Sequence, residues 1–68
     1  MYTHQVNYEK VFTSGMLKGI RYTNSYLKFC SLSDAEAFAV KDGEVLECAS
    51  GTGNYRMEYP IITDLTKF

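Results

Sequence analysis

Cys30, Cys48 and His4 are the side chains in this sequence with the chemistry of a nucleophile or its base. A thiol attacks as its thiolate, so a Cys–His pair would need His4 to meet one of the two cysteines across the fold. His4 lies near a chain end prone to fray, and neither cysteine sits in a recognisable motif. His4 therefore reads as a surface residue, and Cys30 and Cys48 read as buried, reduced core thiols. Asp34 and Glu36 bring two carboxylates together, but in the first turn of a helix, where the macrodipole favours negative charge. Capping accounts for them without acid–base chemistry. Two separated cysteines and one remote histidine fall short of the ligand set of a zinc ion. Ser50-Gly51-Thr52-Gly53-Asn54 has the glycines of a phosphate-cradling loop, yet such loops feed a helix and this one feeds an alternating run. It reads as a hairpin connection. No catalytic residue, metal ligand or cofactor is expected.

Binding chemistry has better material. Arg21, Tyr26, Lys28 and Arg56 interleave basic groups with an aromatic ring, and strand parity turns all of them away from the side that a helix would cover. Such a face is a platform for an acidic protein surface, a nucleotide or a nucleic acid.

The elements that must carry these residues follow from periodicity. Residues 4–13 alternate, with Val6, Tyr8 and Phe12 on one side, and Ser14-Gly15 supplies a turn. Residues 16–22 resume the alternation through Met16, Ile20 and Tyr22, and residues 26–30 place Leu27 and Phe29 inward. These are two strands, or one long strand bent at Asn24. Ser33 is placed to cap a helix, with Glu36 closing a capping box, Ala35, Phe38 and Ala39 on one face, and Gly43 as the stop. Residues 44–49 read as a strand. Tyr55, Met57, Tyr59 and Ile61 then alternate with Arg56, Glu58 and Pro60, and Pro60 marks a strand end or an edge. Leu65 and Phe68 are candidate anchors for the tail. The fold expected is α+β, one antiparallel sheet of four or five strands with a single short helix on one face, in the order β-β-(β)-α-β-β. Tyr8, Phe12, Ile20, Tyr22, Phe29, Tyr55 and Met57 are assigned to the sheet face beneath the helix.

At 68 residues the chain suffices for one domain, residues 1–68, with a thin core. Six Tyr and four Phe supply large buried area per residue, and a 46% hydrophobic content is that of a folded chain. A formal net charge of −1 argues against coating nucleic acid by bulk charge. The N-terminal region has no apolar signal-like run, and no stretch approaches a membrane span, so a cytoplasmic protein with no membrane partner is expected. A thin core and open sheet edges favour a homodimer.

The strand pair around Ser14-Gly15 and the run Phe29-Cys30-Ser31-Leu32-Ser33-Asp34-Ala35-Glu36-Ala37-Phe38-Ala39, entering a short helix before a final hairpin, resemble the build of very small phage-encoded proteins, including small anti-CRISPR proteins. That resemblance implies a stoichiometric blocker of a host defence component, acting in the host cell cytoplasm. From the residues themselves the expectation is a non-catalytic inhibitor or adaptor that occupies another protein's surface, with a nucleotide- or nucleic-acid-binding module as the alternative. Because the thiols are read as reduced, adding a reducing agent should leave the melting temperature unchanged, as followed by circular dichroism. A large drop would identify a disulfide.

Overall fold

Alternating segments separated by glycine-bearing turns organise the chain into four strands and one helix. A computed structural model describes residues 1–67, so Phe68, the expected tail anchor, lies outside the described residues. The elements are β1 (His4–Phe12), β2 (Arg21–Phe29), α1 (Leu32–Ala39), β3 (Val45–Glu47) and β4 (Asn54–Asp64). They form one antiparallel sheet in the order β2-β1-β4-β3. The fold is α+β.

β1 pairs along both edges, so its even-numbered residues form one row on one face. Val6, Tyr8 and Phe12 of that row join Tyr55 and Met57 of β4 and Ala35 of α1 as the buried core. Val6 and Met57 are fully buried, each stabilising the fold by roughly 1.5–3 kcal/mol. Phe38 of α1 wedges between Tyr8 and Phe29, its ring centre 5.2 Å from one and 5.6 Å from the other. Burial, and then the neighbouring Tyr55, pushes the Tyr8 phenol up to about 12. The core is nonetheless small. A radius of gyration of 12.5 Å exceeds the roughly 11 Å of a compact chain of this length, and the molecule is drawn out to 38 × 19 × 19 Å.

The structure corrects several expectations. Of the expected alternatives the structure takes four strands, with no fifth among the described residues. β2 is one continuous strand whose irregularity falls at Thr23 and Asn24, but residues 13–20, part of which was expected to be strand, form a turn. Met16 and Ile20 only imitate alternation. Gly15 and Gly19 both adopt positive φ, and the Ile20 amide donates to the Leu17 carbonyl, which closes a turn where a strand was expected. Ile20 is consequently exposed and not beneath the helix, whereas Leu17 packs against the core. Tyr22 keeps the core side but lies half exposed, edge-on to Phe12 at 5.7 Å. β3 is also shorter than the expected residues 44–49.

Two bulges restore the faces. Thr23 and Asn24 together oppose Glu9, and Tyr59 and Pro60 together oppose Tyr8. The second bulge holds Tyr59 at φ 54°, a left-handed conformation unusual for a bulky residue. It reverses the parity of β4, so Ile62 packs against the core and Ile61 faces out. Pro60 does not end the strand. Beyond Met57 the outer edge of β4 has no strand partner, which leaves room for a residue without an N–H.

The two hairpin loops dock on each other. The Thr13 amide donates to the Asn54 carbonyl at 2.9 Å, and the Asn54 amide donates to Ser14 Oγ at 3.1 Å. Gly15 and Gly53 meet back to back, each without room for a Cβ.

The cap of α1 lies two residues before the expected one. Ser31, in extended conformation, is the N-cap, and its hydroxyl accepts from the Asp34 amide at 3.2 Å. Ser33 and Glu36 form no capping box; both are exposed. Ala35 is buried and Phe38 and Ala39 half buried, the stripe assigned from spacing. Gly43 lies past the helix end, in a turn where its amide donates to the Met57 carbonyl. Ser31→Ala should cost roughly 0.5–2 kcal/mol in urea unfolding, while Ser33→Ala should shift the midpoint little. The reverse order would restore the later cap.

Candidate functional site

The face of the sheet opposite α1 carries no covering element, and antiparallel pairing arranges its side chains in rows across the strands. At one end Lys28, Gln5 and Thr63 form a row, followed by Tyr26, Asn7 and Ile61. Next come Glu9 and Glu58, directly opposite each other. The last row sets Arg21 and Arg56 on either side of Val11, with Val45 of β3 beyond. Arg21, Tyr26, Lys28 and Arg56 thus share one face, and the β2 bulge is what lets Arg21 share it with Tyr26 and Lys28.

Two carboxylates directly opposed across a sheet repel. Here the two arginines occupy the space beside them. Arg21 Nη1 lies 2.7 Å from Glu9 Oε1 and 2.8 Å from Glu58 Oε1, and Arg56 Nε donates to Glu58 Oε2 at 2.9 Å. One guanidinium therefore ties β2 to β1 and β4, and a second closes the pair from within β4. Hydrogen bonds from Arg21 and Arg56 hold the Glu58 carboxyl below the usual glutamate range, and the Glu9 and Glu58 carboxylates raise Arg21 further above its already high value. The result is a four-residue cluster of balanced charge. Around it Tyr26, Val45 and Ile61 are more than half exposed, at 55%, 55% and 63%.

The sequence-derived residues separate into two kinds. Arg21 and Arg56 converge on one carboxylate, Glu58, and are engaged within the fold. Tyr26 and Lys28 stand at the other end, exposed, and Lys28 makes no ion pair among the described residues. Glu9 and Glu58 were missed as members of the face, although parity places both on the outward side of their strands. Only the register, which brings them opposite each other, reveals their role.

Elsewhere, His4 is half buried at the end of the sheet, where Nδ1 is 2.8 Å from Thr3 Oγ1 and Nε2 is 3.9 Å from Asp64 Oδ2. Both cysteines are free; the core placement fails for Cys30, whereas Cys48 packs against the edge of the core. Cys30 is exposed just past β2, and Cys48 is half buried at the start of the β3–β4 loop. That loop is the hairpin connection between β3 and β4. Among the described residues no group of three or more His, Cys, Asp or Glu side chains is placed to hold a metal ion, and no helix is long and apolar enough to cross a membrane.

Compared with protein families, with curated proteins and with solved structures, the chain matches none.

The ion cluster makes stability depend on acid. Because the Glu58 carboxyl is held low in the fold, its contribution is complete above the ordinary glutamate value and is lost as pH falls through the lower, folded value. Glu58→Gln should therefore unfold at less urea than the parent at about pH 7, and the gap should narrow as pH falls below the ordinary glutamate value. A gap that does not change with pH would deny the cluster a charge-dependent role.

Proposed function

We propose that the protein is a non-catalytic binding module, a stoichiometric inhibitor or adaptor, that docks the open sheet face on another protein in the cytoplasm. The observation that carries this reading is the internal neutralisation of Arg21 and Arg56 by Glu9 and Glu58. A phosphate platform needs cations free to replace counterions, and here two of the three basic groups of the face already have carboxylate partners. What remains is a charge-balanced surface studded with Tyr26, Ile61 and Val45 and flanked by Lys28. Exposed aromatic and aliphatic groups beside a satisfied polar cluster are the ingredients of a protein interface, with Tyr26 as the aromatic anchor. In its narrowest form, the one suggested by the resemblance to phage anti-defence proteins, the partner is a host defence protein. A second copy is the simplest partner of all, and a homodimer belongs to the same proposal because the small core leaves apolar surface unburied.

The test separates face from fold. Tyr26→Ala combined with Lys28→Glu touches neither the core nor the ion cluster, so stability should change by less than about 0.5 kcal/mol. Arg21 is the wrong residue to reverse, since a glutamate there would add a third carboxylate beside Glu9 and Glu58. The parent chain should retain a protein that the double variant loses, in about 0.5 M salt and after nuclease treatment. Light scattering that halves in mass for the variant would identify the partner as a second copy. Equal retention by both chains, or retention abolished by nuclease, would overturn the reading.

A further inference from the structure

On the helix side of the sheet a cleft of about 240 Å³, with no residue of α1 in its lining, opens between the β3–β4 loop and the sheet. Phe12, Leu17 and Tyr22 give it an apolar lining, and Ser25, Cys48, Ser50 and Thr52 a polar one. Lys10 lines the same cleft. As an even-numbered residue of β1 it is turned to the core side, and its Nζ lies 5.0 Å from the centre of the Tyr55 ring and 5.9 Å from that of Tyr8. No carboxylate of the described residues pairs with it. An ammonium resting on two rings, with aromatic side chains and serine and threonine hydroxyls in the same cleft, is a receptor for a small flat anion.

The thiol adds reactivity to that receptor. Cys48 Sγ lies 3.1 Å from Ser50 Oγ, which lies 2.9 Å from Thr52 Oγ1, so a thiolate would be supported by a relay of hydroxyls. Hydrogen bonding from Ser50 first, then from Thr52, with the Lys10 charge adding to it, draws the Cys48 thiol down to about 7. Other titratable groups facing it are Tyr8 and Tyr55, both raised by burial and therefore neutral at that pH, and Tyr22 of the apolar lining.

We propose that this cleft is a covalent modification site, where a small disulfide bearing a carboxylate and a flat apolar body docks against Lys10 and exchanges with Cys48. The Cys48 thiolate attacks one sulfur of the ligand. A new Sγ–S bond forms as the ligand's own S–S bond breaks, and the electron pair leaves on the departing thiolate. Cys48 is oxidised to a mixed disulfide, half of the ligand is reduced to a thiol, and the proton lost by Cys48 passes to solvent. The cleft lies on the face opposite the docking surface, so this site and the proposed function can fail independently.

Dithiobis-nitrobenzoate is an anionic aromatic disulfide and dithiodipyridine a neutral one, and each reports its released thiol by absorbance. In Cys30→Ser, which leaves Cys48 as the reacting thiol, the anionic reagent should react at least about tenfold faster relative to the neutral one than it does with free cysteine. Lys10→Met should remove that preference while leaving the neutral reagent within about threefold, and Lys10→Arg should keep it. Ser50→Ala should move the midpoint of the rate–pH profile upward from near 7. Circular dichroism checks that each variant is folded; should Lys10→Met unfold, the reagent preference in Cys30→Ser and its retention in Lys10→Arg decide. A reagent ratio equal to that of free cysteine, or an equal slowing of both reagents in folded Lys10→Met, would overturn the proposal.

Discussion

β1 is hydrogen-bonded along both edges, and the alternation of this one strand sets both faces of the sheet. Its even residues bind the helix side together through Val6, Tyr8 and Phe12, and its odd residues set the floor of the open face. Whatever β2 and β4 bring must fall in with that parity. Both do so only by means of a bulge, and the two bulges oppose adjacent residues of β1, Tyr8 and Glu9. The partner on one side follows in sequence, while β4 arrives from the far end of the chain. The sheet is therefore held by non-local pairing, a topology associated with slow folding.

The same register that builds the core imposes a cost on the opposite face, since it sets Glu9 against Glu58. The Arg21 guanidinium reaching across from β2 offsets that repulsion and crosses all three long strands. A residue type suited to ligand recognition is thereby used for cohesion. Lys10 on the other side of β1 presents the converse, a cation held by aromatic rings with no carboxylate partner among the described residues. Charge that looks interchangeable in the sequence thus divides by position into structural and available.

Much of this was legible from residue types because periodicity is local. The inward row of β1, the Ala35/Phe38 stripe and the outward placement of Arg21, Tyr26, Lys28 and Arg56 all follow from it. The helix start was ambiguous for a physical reason: Ser31 with Asp34 and Ser33 with Glu36 are overlapping capping pairs, and the earlier one gives α1 its full eight residues. The Tyr59 bulge left no mark, since a bulky residue at positive φ is the opposite of what turn chemistry advertises. Pro60 was its one trace, read as a strand end or an edge, and the edge is what the structure has. The turn over residues 13–20 was hidden because Met16 and Ile20 mimic a period of two. The Glu9–Glu58 cluster and the Lys10–Cys48 cleft depend on register and loop docking, which join residues far apart in the chain.

The contact between Gly15 and Gly53 bears on where this chain can change length. Hairpin loops are ordinarily the segments that absorb insertions, because their tips face only solvent. Here the two loops are each other's neighbours, fastened by Thr13, Ser14 and Asn54 with no space for even one added methyl group at the glycines. Residues inserted into either would have to part both. The turn between α1 and β3 is wedged against no other loop; its tie to the sheet comes at Gly43, whose amide donates to the Met57 carbonyl, and an added Cβ there would meet open space. An epitope tag, a fused domain or a circular-permutation cut therefore belongs at residues 40–42, ahead of that bond, where the chain can grow without separating the two hairpins.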